Sequence, residues 1–88
     1  MSNPFGDEKL ELDYPCRWSY TVIGEDEYHM RVAVGDVCGD LEHSLELSNR
    51  SRTGRYCSLR VEVVVQDDDQ RTGLFHALLR RDEIRYVV

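Results

Sequence analysis

Arg50, Arg52 and Arg55 surround Gly54 in the stretch Asn49-Arg50-Ser51-Arg52-Thr53-Gly54-Arg55 and form the one basic cluster of the sequence. Guanidinium groups grip carboxylate or phosphate through paired hydrogen bonds, so this loop, with Tyr56 beside it, is a candidate docking point for an anionic small molecule or an acidic protein. The plainer expectation is a solvated hairpin tip whose charges offset nearby acids. His29, His43 and His76 have no metal-ligand spacing. His76 falls beside the apolar positions of a helix, which predicts a partly buried structural histidine. No serine, cysteine or lysine stands in a nucleophile motif, and the lone lysine is Lys9. The sequence therefore predicts no enzyme, no metal and no cofactor.

The elements that position these residues follow from the hydrophobic pattern. From Gly54 to Val65, Cys57, Leu59, Val61, Val63 and Val65 alternate with Tyr56, Ser58, Arg60 and Glu62, the period of a strand with one covered face. Arg17 to Gly24 alternates in the same way, with Trp18, Tyr20 and Val22 on one side, and Gly24 ends it. Between them, Glu25, Asp26 and Glu27 suit the first turn of a helix, because carboxylates favour the positive end of the helix dipole. Met30, Val34, Val37, Cys38 and Leu41 then share one helical face.

Tyr28, Val32, Gly35 and Gly39 gather on the opposite side of that helix. They are read either as a weak helix that breaks early at Gly39, or as a small-residue stripe through which a second copy forms a homodimer. Ser44 to Asn49 predicts a short polar edge strand. Asp67, Asp68 and Asp69 offer caps for a second helix whose buried face is Leu74, Phe75, Leu78 and Leu79, with Arg80 and Arg81 in its last turn. Ile84 to Val88 predicts a final strand with Ile84, Tyr86 and Val88 facing inward.

The order β-α-β-β-α-β with right-handed crossovers gives an α+β, ferredoxin-like (ACT-like) sandwich, a four-stranded antiparallel sheet with two helices on one face. The helices would lie over Trp18, Tyr20, Val22, Leu59, Val61 and Val63, and the open face would carry Ser19, Thr21, Arg60, Glu62 and Arg85. Residues 1–13 read as a flexible acidic lead-in and 14–88 as a single domain, since a chain of 88 residues has room for one core.

Composition and topology narrow the functions. The net charge of −6 works against nucleic acid and anionic membrane surfaces. In the first thirteen residues, four acids (Asp7, Glu8, Glu11, Asp13) against Lys9 leave −3, half of that total. No apolar run approaches the roughly 20 residues of a membrane span, and the start has no signal-peptide pattern. Cys16, Cys38 and Cys57 form no C-x-x-C pair and read as reduced thiols, which predicts a cytoplasmic protein. An acylphosphatase shares the topology but needs a glycine-rich phosphate cradle after its first strand. Here the turn is Gly24-Glu25-Asp26-Glu27, which repels a phosphate. An RNA-binding sheet needs aromatics on its open face, and Tyr56 is the only one the pattern places there.

The segments YPCRWSYTVIG (Tyr14 to Gly24), GRYCS (Gly54 to Ser58) and LLRRDEIRYVV at the end of the sequence together resemble the YbeD-like family of small bacterial proteins of unassigned function. The resemblance covers the sequence from about Asp13 onward. It implies a ferredoxin-like, ACT-domain-like fold and, for some members, a role as lipoate-related regulatory proteins. It brings no catalytic residues with it. The expected function is a non-catalytic regulatory domain that binds a small-molecule or protein partner, the alternative being an interaction adaptor with no small-molecule ligand.

Overall fold

A computed structural model describes residues 13–88. The elements are β1 (Cys16–Gly24), α1 (Glu27–Cys38), β2 (His43–Arg50), β3 (Cys57–Val65), α2 (Asp68–Leu79) and β4 (Tyr86–Val87). The strands form one antiparallel sheet in the order β2-β3-β1-β4. This is the expected ferredoxin-like arrangement. The acidic lead-in lies, apart from Asp13, outside the described residues.

Strand alternation puts Tyr20, Val22, Leu59, Val61 and Val63 on one face of the central pair, where they bury against Met30, Ala33 and Val34 of α1 and Leu74 and Leu78 of α2. No polar or charged residue is buried among the described residues. Each helix begins where an aspartate can receive a free backbone donor. Asp26 accepts from the His29 N–H at 2.9 Å, and Asp67 from the Gln70 N–H at 2.7 Å. Glu25 precedes the cap of α1, so Glu27 alone carries acidity into its first turn. Gly39 lies past the helix, at φ +56°, where its N–H bonds the Gly35 carbonyl. A side chain is strained in that left-handed conformation, so Gly39 terminates α1 and is no part of its interior stripe.

Several expectations fail at the margins of the sheet. The final strand is short, and Val87 sits opposite the fully buried Val22 while Tyr86 sits opposite Ile23. Paired residues share a face, so Val87 turns inward, and Tyr86 (63% exposed) and Val88 turn outward. Ile84 is buried as expected, but it belongs to the turn closed by its N–H to the Arg81 carbonyl, and that turn resets the phase. The open face therefore carries Tyr86, which flanks Ile23 opposite Ser58, while Tyr56 lies just before β3 and shares a recess with Ile23.

Arg85 is not on the open face. It pairs with Glu25 at 3.0 Å at the end of the sheet and helps line an acidic recess with His29 and Glu83. Leu79 is 42% exposed, because α2 stops there at the rim of the core. His76 is likewise exposed, and Arg81, just past α2, pairs with Asp36 and Glu83.

Candidate functional site

The hairpin cluster lies at the end of the sheet where β1 finishes and β3 starts. A turn closed by Ser51 N–H to the Tyr56 carbonyl (2.8 Å) and Gly54 N–H to the Ser51 carbonyl (2.9 Å) presents it. The register Gly24↔Cys57↔Arg50 brings it beside Glu25 and Glu27. Arg50 donates to Glu27, which also holds Arg31 at 2.8 Å. Arg55 is 3.8 Å from Glu25 and sits over the Tyr56 ring at 5.5 Å. The hydrogen bond from Arg31, together with the nearby Arg50, holds the Glu27 carboxyl below its ordinary pKa. Arg52 alone of the three makes no ion pair among the described residues. Two of the three cations thus already meet acids at the start of α1 or just before it, and a recess of about 200 Å³ remains beside Ile23, Arg50 and Tyr56.

On α1, Tyr28, Val32 and Gly35 form an exposed strip, and a Cβ added at Gly35 would meet nothing within 4 Å. The three cysteines are free thiols, and burial raises the pKa of Cys38 and of Cys57. Among the described residues no group of His, Cys, Asp and Glu has metal-binding geometry, and no helix is long and apolar enough to cross a membrane.

A more enclosed arrangement occupies the opposite end of β1. There a groove of about 350 Å³ runs between β1 and α2, with Trp18 and Phe75 as apolar walls, Thr72 and Arg71 along α2, and the outward-turned Val88 only at its rim. The Arg71 guanidinium stacks over the Trp18 ring at 4.8 Å, its Nε donates to the Tyr14 hydroxyl at 3.2 Å, and it lies 3.5 Å from Asp68. Tyr14 donates in turn to Asp68. Beneath them the Tyr20 hydroxyl donates to the Arg71 carbonyl, tying strand to helix, and burial pushes the Tyr20 pKa up to about 12.

The groove is therefore preformed, with a fixed cation at its rim. Chemically it can hold an apolar chain or ring that carries an anionic end. The sequence predicts Trp18 on the covered face and does not single out Arg71. The available signal was a tryptophan near the start of a strand whose C-terminal neighbour is too short to flank all of it.

The comparisons with known proteins agree with the fold. The uncharacterized protein Cj0253 of Campylobacter jejuni is 29% identical over 68 residues, covering 77% of this chain and 78% of its own. A solution structure of HP0495 from Helicobacter pylori superposes with a TM-score of 0.80 at 21% identity, over 100% of this chain and 97% of that one. The ACT domain of a GTP pyrophosphokinase from Chlorobium tepidum superposes with a TM-score of 0.59 at 16% identity, over 82% and 94%. The family model described as "Protein of unknown function (DUF493)" matches residues 9–88, and the chain belongs to that family.

Proposed function

We propose that this protein is a non-catalytic regulatory domain that binds its ligand in the groove between β1 and α2. The observation that carries the reading is Arg71, held over Trp18 at the rim of an apolar channel. An elongated apolar carboxylate suits it: the chain lies on Trp18 and Phe75, and the carboxylate takes the guanidinium hydrogen bonds left over from Tyr14 and Asp68. Lipoic and octanoic acids have this form, which joins the groove to the lipoate-related role that the family resemblance implies. The regulatory part of the reading is analogy with ACT domains and rests on fold. The free thiols fit a reducing compartment, so a cytoplasmic setting belongs to the same proposal. The hairpin with Arg52 and the strip Tyr28–Val32–Gly35 are assigned as secondary contact surfaces, for an acidic partner and for a second copy respectively.

Thermal shift measures this directly, because a ligand that binds only the folded state stabilises it by RT ln(1 + [L]/Kd). Millimolar lipoate and octanoate should raise Tm while acetate does not, and Arg71→Ala should remove the rise. Unchanged melting with both acids sinks the small-ligand reading. A second reading, a protein-interaction domain with no small ligand, is favoured by a separate observation: β4 reaches only part of the way along β1.

A further inference from the structure

We propose that the open edge of β1 receives an extended acidic segment of a partner protein as an added strand of the sheet. This rests on the interaction-domain reading and gives the partner its form. Thr21 and Val88 exchange hydrogen bonds in both directions, at 3.0 and 2.8 Å, and the Arg85 N–H reaches the Ile23 carbonyl at 2.8 Å. The odd-numbered residues of β1 therefore aim their backbone groups at β4. By the two-residue period of a strand, the N–H and C=O of Arg17 and Ser19 point the same way, past the last paired residues, and no described residue meets them. Four such groups at strand spacing are matched by another extended backbone.

The sheet's other edge differs. β2 is interrupted by a bulge between Leu47 and Asn49, a device that discourages further pairing. The half of β1 that no described strand flanks on its outer side has no bulge, and it borders the groove at Trp18 and Phe75, which can take every second side chain of an incoming strand.

Charge selects which strand. Arg17 lies on one side of the edge and Arg71 on the other. Arg17 finds its acid, Glu42, at 3.3 Å only by reaching back over β3, away from the edge, and both of those side chains are largely exposed. Asp68 pairs with Arg71 at 3.5 Å, its own side chain largely exposed and that of Arg71 mostly covered. The Arg17–Glu42 pair, exposed on both sides, exchanges readily in water, and Arg71 keeps guanidinium hydrogen bonds beyond those to Tyr14 and Asp68. A second copy laid along the same edge would add two more guanidinium groups to the strip, whereas glutamates on an incoming strand would meet them.

The test uses the full 15N-labelled protein and a decapeptide of alternating valine and glutamate. Amide exchange at Arg17 and Ser19 should slow at least tenfold with the peptide. It should not slow with the valine–lysine analogue, or with the glutamate peptide N-methylated at alternate nitrogens. Arg17→Glu should transfer the preference to the lysine peptide. Unchanged exchange at saturating peptide, protection of β2 amides in place of β1, or equal protection by both peptides overturns the proposal. So does protection without peptide in a species of twice the monomer mass, which would make a second copy the occupant. If octanoate shifts the Trp18 and Phe75 signals while no peptide protects the edge, the strand proposal falls and the small-ligand reading stands. If the peptide protects the edge and the acids do nothing, the reverse holds.

Discussion

At its Gly24 end, β1 is hemmed in by β3, by the chain leading into β4 and by α1, so closely that a Cβ on Gly24 would lie 2.6 Å from the Glu83 carbonyl oxygen and 2.7 Å from Met30 Sδ. At its Trp18 end the same strand has, among the described residues, β3 on one side only, and its covered face opens into a groove. Arginines gather at both ends, with different consequences. Arg50, Arg55 and Arg85 meet Glu25 and Glu27, so a cluster conspicuous in the sequence is largely neutralised in space. Arg71, unremarked among the residues of a helix, is set beside unfilled apolar surface. A site is made by a charge next to surface that still needs covering, and the number of charges in a stretch says little about that.

The sharpest way to break this contrast is to force the closed end apart. Gly24→Ala places a methyl group against backbone as well as against the more pliable Met30, and overpacking of this kind costs about 1–3 kcal/mol. Thermal melts should show a clear fall in Tm, while ligand shifts assigned to the Trp18 end persist. An unchanged Tm would mean the Gly24 end is no tighter than the groove. Next in size is Tyr20, which ties β1 to α2. Tyr20→Phe loses the bond to the Arg71 carbonyl, about 1 kcal/mol at neutral pH.

It should also change the alkaline limb of stability. Burial raises the folded pKa of Tyr20 from 10 to about 12, so its contribution is complete below pH 10. Above that the unfolded chain loses the proton first, and stability drains away as pH rises toward 12, by less than about 3 kcal/mol in all. Denaturant midpoints between pH 9 and 12 should fall less steeply for Tyr20→Phe than for the wild type. Equal slopes would show that the hydroxyl is not held as described.

How much of this was legible in the sequence depends on whether one element or several decide a residue's surroundings. Leu59, Val61 and Val63 declare their face by alternation, because burial on one side of a strand imposes the period. The caps Asp26 and Asp67 are equally local. Tyr86 and Val88 face the side opposite to the one alternation predicts, because the turn from Arg81 to Ile84 shifts the phase and such a turn leaves no periodic signature. Leu79 fits the helical period but lies at the end of α2, where it stays 42% exposed at the rim of the core. Arg71 and Trp18 are far apart in sequence and meet only after α2 crosses the sheet, so neither marks a groove alone. The neutralised hairpin is an intermediate case: pairing β1 with β3 in register already brings Arg50 and Arg55 toward Glu25 and Glu27.

Arg71→Ala sharpens the open end. The protein should stay folded, since Arg71 is a rim residue, but the emission of its single tryptophan should move to longer wavelength as the stacked guanidinium is lost, and affinity for groove ligands should fall at least tenfold. Unchanged emission would separate Trp18 from Arg71 in solution.

The smallest effect is expected at Arg55, in the cluster that looks most like a site. Its contact with Glu25 is long, 3.8 Å, and both side chains are well exposed. Arg85 holds the same carboxylate at 3.0 Å, so removing Arg55 leaves no acid unpaired. Exposed pairs of this sort contribute little, and Arg55→Ala should move Tm by less than about 4 °C and leave affinity for lipoate, octanoate or the valine–glutamate peptide unchanged. Arg50→Ala should shift Tm more than Arg55→Ala, because its partner Glu27 is only 24% exposed, although Arg31 remains to share that acid. If Arg55→Ala weakens binding as much as Arg71→Ala does, the hairpin and the groove act as one surface, and the distinction between the closed and open ends of β1 is lost.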